Sequence, residues 1–154
     1  VIGIASVLER IACPNCSCVA LEDFYYKIGE TYILCNRCGY QYARELKLGP
    51  DRKERFEENE IIGFGCSQIV NKDGSTEREI FREPISSDTI QQFRYEWNKG
   101  TTNQEKSFLL SFENGIFTPL IGTPPKDFLK PYDEIEDPQR ESIIIGSDGT
   151  ISLE

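Results

Sequence analysis

The chain has 154 residues, with 17 Lys/Arg against 26 Asp/Glu for a net charge of −9, and no histidine. The missing histidine removes Ser-His-Asp and Cys-His catalysis and every histidine-bearing metal site, and the acid surplus repels phosphate backbones while favouring solubility. At 38% hydrophobic, with nine Phe and seven Tyr, the composition is globular, and no segment approaches the ~18 apolar residues of a membrane span.

Residues 1–8 are apolar, but the run is short and lacks a basic start, so no signal peptide is expected. The chain holds no methionine, and the expectation is a processed N-terminus or a fragment. Ile4, Val7, Leu8 and Ile11 fall at helical spacing with Glu9 and Arg10 facing out, which predicts a short helix before residue 13.

Two matched cysteine pairs follow, Cys13-Pro14-Asn15-Cys16 and Cys35-Asn36-Arg37-Cys38, in the pattern C-x2-C-x18-C-x2-C. This spacing reads as a four-cysteine zinc site. Each tight turn presents two sulfurs, and two such turns facing each other complete a tetrahedral shell that leaves no position for water. Gly39 follows the second pair, where a turn often needs a positive φ. Ser17 holds the corresponding place after the first pair, and Cys18 adds a spare thiol. Cys16 with Cys18 is an alternative pair, though Cys13 with Cys16 matches the spacing better.

Between the pairs, residues 24–27 and 31–34 read as strands around a turn at Ile28-Gly29-Glu30, and residues 41–44 read as a third strand. With CPNC, CNRCGY and this aromatic hairpin, residues 11–46 resemble the zinc ribbon family. The resemblance implies one structural Zn2+ on Cys13, Cys16, Cys35 and Cys38. It leaves function open, because zinc ribbons occur in transcription factors, polymerase subunits, ribosomal proteins and plain scaffolds. Six cysteines would also suit a secreted disulfide framework, and C-x2-C also occurs as a redox dithiol. Redox motifs usually come singly within a βαβ pattern, and no such pattern is present.

Gly49-Pro50 ends the ribbon pattern. Residues 51–60 carry eight charges in ten positions, which reads as a linker with some helix. Residues 61–70 and 76–82 then flank a turn at residues 71–75, a hairpin signal. Residues 92–98 alternate Phe93, Tyr95 and Trp97 with Arg94 and Glu96, which predicts a half-buried strand. The competing reading is a helix capped near Ser87 or Asp88 and ended by Gly100, with Ile90, Phe93 and Trp97 on one face. Residues 107–113 and 116–121 flank Asn114-Gly115, the strongest hairpin signal in the chain. Residues 123–141 hold four prolines and an acidic run, an extended connector. Residues 142–145 and 150–153 flank Gly146-Ser147-Asp148-Gly149 and fit a last hairpin or an addition to a sheet edge.

The expected architecture is mainly β, an N-terminal zinc ribbon followed by an antiparallel β-meander domain of about five strands. The ribbon with its short N-terminal helix would span residues 1–48, a charged linker 49–60, the β domain 61–122, and an acidic Pro-rich connector with a terminal hairpin 123–154. Charge divides unevenly: residues 1–55 hold eight basic and seven acidic residues, and residues 56–154 hold nine and nineteen.

Beyond the cysteines the candidates are weak. Arg37, Arg44 and Lys47, with Lys27, Arg52, Lys53, Arg55 and Tyr25, Tyr32 and Tyr42, would give a phosphate-binding and stacking surface, set against neighbouring acids. Gly63-Phe64-Gly65-Cys66-Ser67 faintly resembles a glycine-flanked nucleophile without a base, and a strand with small residues at a bulge fits it better. Glu57, Glu58 and Glu60 would suit a hard cation but read as a solvated run. Cys18 and Cys66 read as partly buried thiols.

The expected function is non-enzymatic: a cytoplasmic zinc-binding protein, with no catalytic residue, acting on a protein partner with a basic surface. That partner is placed by the family resemblance in transcription or nucleic-acid machinery. The alternatives are direct nucleic-acid binding through Arg37, Arg44 and Lys47, an acidic immunity-type inhibitor of a basic protein, and a C-x2-C redox enzyme.

Overall fold

The computed structural model describes residues 5–137 and 139, together with the strands Ile143–Ile145 and Ile151–Leu153. The chain divides into two compact units. One takes Val1–Asn36, Tyr40–Ile62 and Pro131–Glu154, and the other takes Arg37–Gly39 and Gly63–Lys130.

The first unit is a five-stranded antiparallel meander, β1 (Val7–Ala12), β2 (Val19–Tyr25), β3 (Glu30–Leu34), β4 (Gln41–Leu48) and β5 (Glu54–Ile61), paired in chain order. The strands expected at residues 31–34 and 41–44 fall in β3 and β4, while the one expected at 24–27 overlaps only the end of β2, with Tyr26 and Lys27 in the turn to β3, where Gly29 sits at φ +78°. Two other expectations fail. The predicted N-terminal helix is instead β1, which pairs with β2 from Val7↔Phe24 to Ala12↔Val19. A stretch this short cannot hold a helix alone, whereas pairing satisfies the edge of β2 and sets Leu8 against Val19 and Leu21. The predicted charged linker contains β5, paired with β4 from Gln41↔Ile61 to Leu48↔Glu54. Its charge suits a solvated edge strand, where charged side chains discourage further pairing. The Arg44 guanidinium lies 3.6 Å from the centre of the Phe56 ring, tying the two strands together.

The second unit is a four-stranded antiparallel sheet in the order β7-β6-β8-β9, built from β6 (Gly65–Val70), β7 (Thr76–Ile80), β8 (Phe108–Glu113) and β9 (Ile116–Gly122). Both predicted hairpins form, β6–β7 and β8–β9. Asn114 (φ +53°) and Gly115 (φ +79°) supply the paired left-handed residues of the second turn. The strand expected at residues 92–98 is α1 (Ser87–Trp97), capped by Ser86, whose side chain accepts from the Thr89 amide. The helix wins because it sets Ile90, Phe93 and Trp97 against Ile69, Leu109 and Ile121 and leaves Tyr95, at 65% exposure, in water. A strand would have turned Tyr95 to the same side as Phe93. The five-strand meander therefore lies in the first unit, and the second is a sheet with a helical crossover. Pro119 is tolerated because β9 is an edge strand, with a register shift at Leu109/Leu110.

The connector after residue 122 is packed rather than free. In the second unit Phe128 meets Phe108 edge-on at 5.3 Å. In the first, Tyr132 and Ile135 pack on Val19 and Leu21, and the Tyr132 amide donates to Ser17 O. The terminal hairpin forms as β10 (Ile143–Ile145) against β11 (Ile151–Leu153), and its turn residues lie outside the described residues. Among the described residues no helix is long and apolar enough to cross a membrane.

Candidate metal centre

A meander places alternate turns at opposite ends of its sheet. The β1–β2 and β3–β4 turns therefore share one end, two strand spacings or about 10 Å apart. Cys13 follows β1, Cys16 precedes β2, Cys35 follows β3 and Cys38 precedes β4. The eighteen residues between the pairs are what one hairpin needs to leave that end and return. The four sulfurs come within 4.8 Å of one another, and Cys16 Sγ lies 3.6 Å from Cys35 Sγ. A tetrahedral thiolate site with metal–sulfur bonds of about 2.3 Å has edges of about 3.8 Å, so these four sulfurs can hold one metal ion.

The two turns are built alike. The Cys13 amide donates to Cys18 O at 2.7 Å, and the Cys35 amide donates to Tyr40 O at 2.9 Å, each closing over five residues. The fourth residue after the first cysteine is left-handed in both, Ser17 at φ +68° and Gly39 at φ +92°. Ser17 thus does without a glycine's freedom and accepts backbone strain. The Asn15 amide donates to Cys13 Sγ at 3.4 Å.

Cys13, Cys35 and Cys38 are buried, and Cys16 alone of the four is partly exposed. Four thiolates around a divalent ion carry a net charge near −2 and leave no open coordination position. Such a centre can brace two turns, but it offers nothing to activate a water or polarise a substrate. None of the six cysteines is in a disulfide.

The other candidates separate. Cys18 is 2% exposed and outside the cluster, and its backbone bridges to Pro131. Both Cys18 and Cys66 are thus more deeply buried than expected. At Cys66, burial pushes the thiol up to about 12, and the Arg37 and Arg78 guanidiniums only partly offset this. It is a protonated core residue at the start of β6, not a nucleophile. Alternation along β5 splits the glutamates, turning Glu57 to one face and Glu58 and Glu60 to the other. Glu60 accepts the Tyr40 hydroxyl.

Arg37 and Arg44 are engaged within the protein, whereas Lys27, Lys47, Arg52, Lys53 and Arg55 are exposed. Arg37 is 2% exposed, with Nε donating to Phe128 O at 3.1 Å and its guanidinium 4.7 Å from the Phe128 ring centre. Buried in this way, it does not reach a phosphate. Arg44 stacks on Phe56, donates to Gly29 O and faces Glu58 at 3.8 Å. Lys47 is exposed and lies 3.6 Å from Glu45. Register puts Tyr25 and Tyr32 on one face of the first sheet and Tyr42 on the other, so the three tyrosines form no continuous stacking row.

No protein family, curated protein or solved structure matches the chain. Its sequence and structure together show a mainly β protein with a four-cysteine cluster, Cys13, Cys16, Cys35 and Cys38, that can hold one metal ion.

Proposed function

We propose that the protein is a non-enzymatic zinc-binding protein whose cysteine cluster is a structural zinc-ribbon-type centre, and that it acts by binding a protein partner with a basic surface. The observation that carries this reading is the cluster itself, four sulfurs within 4.8 Å, three of them buried, in a chain without histidine. An all-sulfur set in C-x2-C turns favours zinc among the divalent metals available to a reducing compartment such as the cytoplasm. With the shell closed, function falls to the surface. The charge of −9 favours a basic partner by electrostatic steering. Transcription or nucleic-acid machinery is the class the ribbon resemblance suggests.

The test is metal analysis of the purified chain, followed by chelation and by binding to a basic protein across a salt series. One zinc per chain, loss of the fold on chelation and affinity that falls with salt are expected. A metal-free chain that stays folded and turns over in a disulfide-reductase assay would overturn the reading.

A further inference from the structure

The face of the five-stranded sheet that carries Tyr25 and Tyr32 holds a groove of about 490 Å³. Cross-strand register explains its composition. One row across the sheet runs Asp23↔Tyr32↔Ala43↔Asn59, and the next runs Leu21↔Leu34↔Gln41↔Ile61. Leu34, Ala43 and Ile61 give an apolar floor beside the buried Leu21, while Tyr25 and Tyr32 stand edge-to-face at 5.8 Å and 89°. The volume falls in the range of ligand sites.

Asp23 is the one charged side chain among the described lining residues of the groove, and Arg10 stands opposite Leu21 on the same face. No lysine or arginine is among its described lining residues. Asp23 takes the Tyr25 hydroxyl, but its Oδ1 is buried with no hydrogen-bond partner among the described residues. Glutamates stand at one end, where the Tyr32 hydroxyl lies 3.1 Å from Glu30 and 3.4 Å from Glu45. Glu45 sits directly opposite Glu57, an arrangement that destabilises a sheet unless a cation joins it, and Lys47 approaches Glu45 at 3.6 Å. Both tyrosine hydroxyls are held above their usual pKa, first by burial and then by these carboxylates. The rings therefore stay neutral and present electron-rich faces.

We propose that this groove receives a lysine side chain of a basic polypeptide, its aliphatic stem on the Leu34–Ala43–Ile61 floor and its ammonium against the outer side of the Tyr25–Tyr32 pair, beside Asp23. A long cationic side chain needs both an apolar track for its methylenes and a charged end, and ring faces with a nearby carboxylate attract the ammonium. The inference rests on the reading that the protein binds a basic partner, and it names where that partner is gripped.

The test is calorimetric titration of the full, metal-loaded chain with a capped lysine-glycine peptide and with the same peptide carrying norleucine for lysine. The lysine peptide should bind, and the norleucine peptide should lose most of that affinity. Asp23→Asn, which keeps shape and removes charge, should weaken binding roughly tenfold, and Tyr32→Leu roughly 3- to 30-fold. Lysine-peptide binding that both variants leave unchanged would overturn the groove and leave the basic-partner reading standing. No binding of any basic peptide or protein would overturn both. Nuclear Overhauser contacts from the Tyr25 and Tyr32 rings to residues 140–154 in the peptide-free protein would assign the groove to the chain's own end and overturn the proposal.

Discussion

Ser17 and Gly39 occupy the same position in two equivalent turns, yet exchanging their side chains should have opposite effects. Ser17 sits at φ +68°, is exposed, and engages its turn through backbone alone, its amide donating to Cys13 O at 2.9 Å and its carbonyl accepting from Tyr132 N at 2.8 Å. An L-residue in the left-handed region costs about 1–2 kcal/mol, and glycine returns about 0.5–1 kcal/mol as extra unfolded-state entropy. Ser17→Gly should therefore stabilise by about 0.5–1 kcal/mol, a Tm rise of about 1–4 °C for a chain of this size. At Gly39 a Cβ would lie 2.5 Å from Ile80 Cγ2 and 3.2 Å from Gly63 Cα, at φ +92°. Gly39→Ser adds a clash to the backbone strain and should cost about 2 kcal/mol or more. The assay is thermal unfolding by circular dichroism with metal in excess, so that both variants are compared fully loaded. A neutral or destabilising Ser17→Gly, or a harmless Gly39→Ser, would refute the strain argument.

The ligand set makes a sharp prediction at neighbouring cysteines. Cys16→Ala should abolish stoichiometric metal binding, whereas Cys18→Ala, outside the cluster, should keep one metal per chain and lose only about 1–2 kcal/mol of packing, checked by metal analysis and denaturant unfolding. At Cys66 the folded thiol is pushed up to about 12 from 9.0, so the folded state disfavours the thiolate. Its contribution to stability is intact below pH 9 and is lost as pH rises from 9 towards 12. Alkylation of Cys66 in the native protein near pH 8 should accordingly track unfolding, and mass spectrometry would detect rapid labelling if the site were open.

The cysteine cluster was legible because metal chemistry fixes both residue type and spacing. The two later hairpins were legible because Asn71–Ser75 and Asn114-Gly115 are local turn signals. What the sequence obscured was decided by partners far along the chain. Residues 7–12 carry helical spacing, but the open edge of β2 made them a strand. Residues 54–61 look like a solvated linker because seven of the eight are exposed, and only pairing with β4 makes them β5. Residues 87–97 carry two periodicities at once. The Ser86 cap and the cluster of Ile69, Leu109 and Ile121 decided for the helix. The lysine groove escaped for the same reason as β5. Asp23 and Tyr25 share a face at period two, but that face becomes a wall only when β3, β4 and β5 lie beside it in register.

Gly63 shows how far the metal centre depends on residues that do not touch metal. In sequence the run Gly63-Phe64-Gly65 reads as a strand with small residues at a bulge. In the second unit a Cβ on Gly63 would stand 2.0 Å from Cys38 O and 2.4 Å from Gly39 Cα. These are backbone atoms with no rotamer to yield, and the same Cys38 carbonyl accepts from the Gly65 amide at 2.9 Å. Gly63→Ala must therefore push the Cys38 backbone aside, and a thiolate moved even a few tenths of an ångström leaves the tetrahedral geometry. The expected cost is about 3 kcal/mol, and it should appear as faster metal loss to a competing chelator as well as a lower Tm. Gly100→Ala is the control, because nothing lies within 4 Å of its Cβ position, and its effect should stay within about 0.5 kcal/mol. If Gly63→Ala released metal no faster than Gly100→Ala, Cys38 would not be held by this contact. The stiffness of the second cysteine turn would then have to come from its own hydrogen bonds alone.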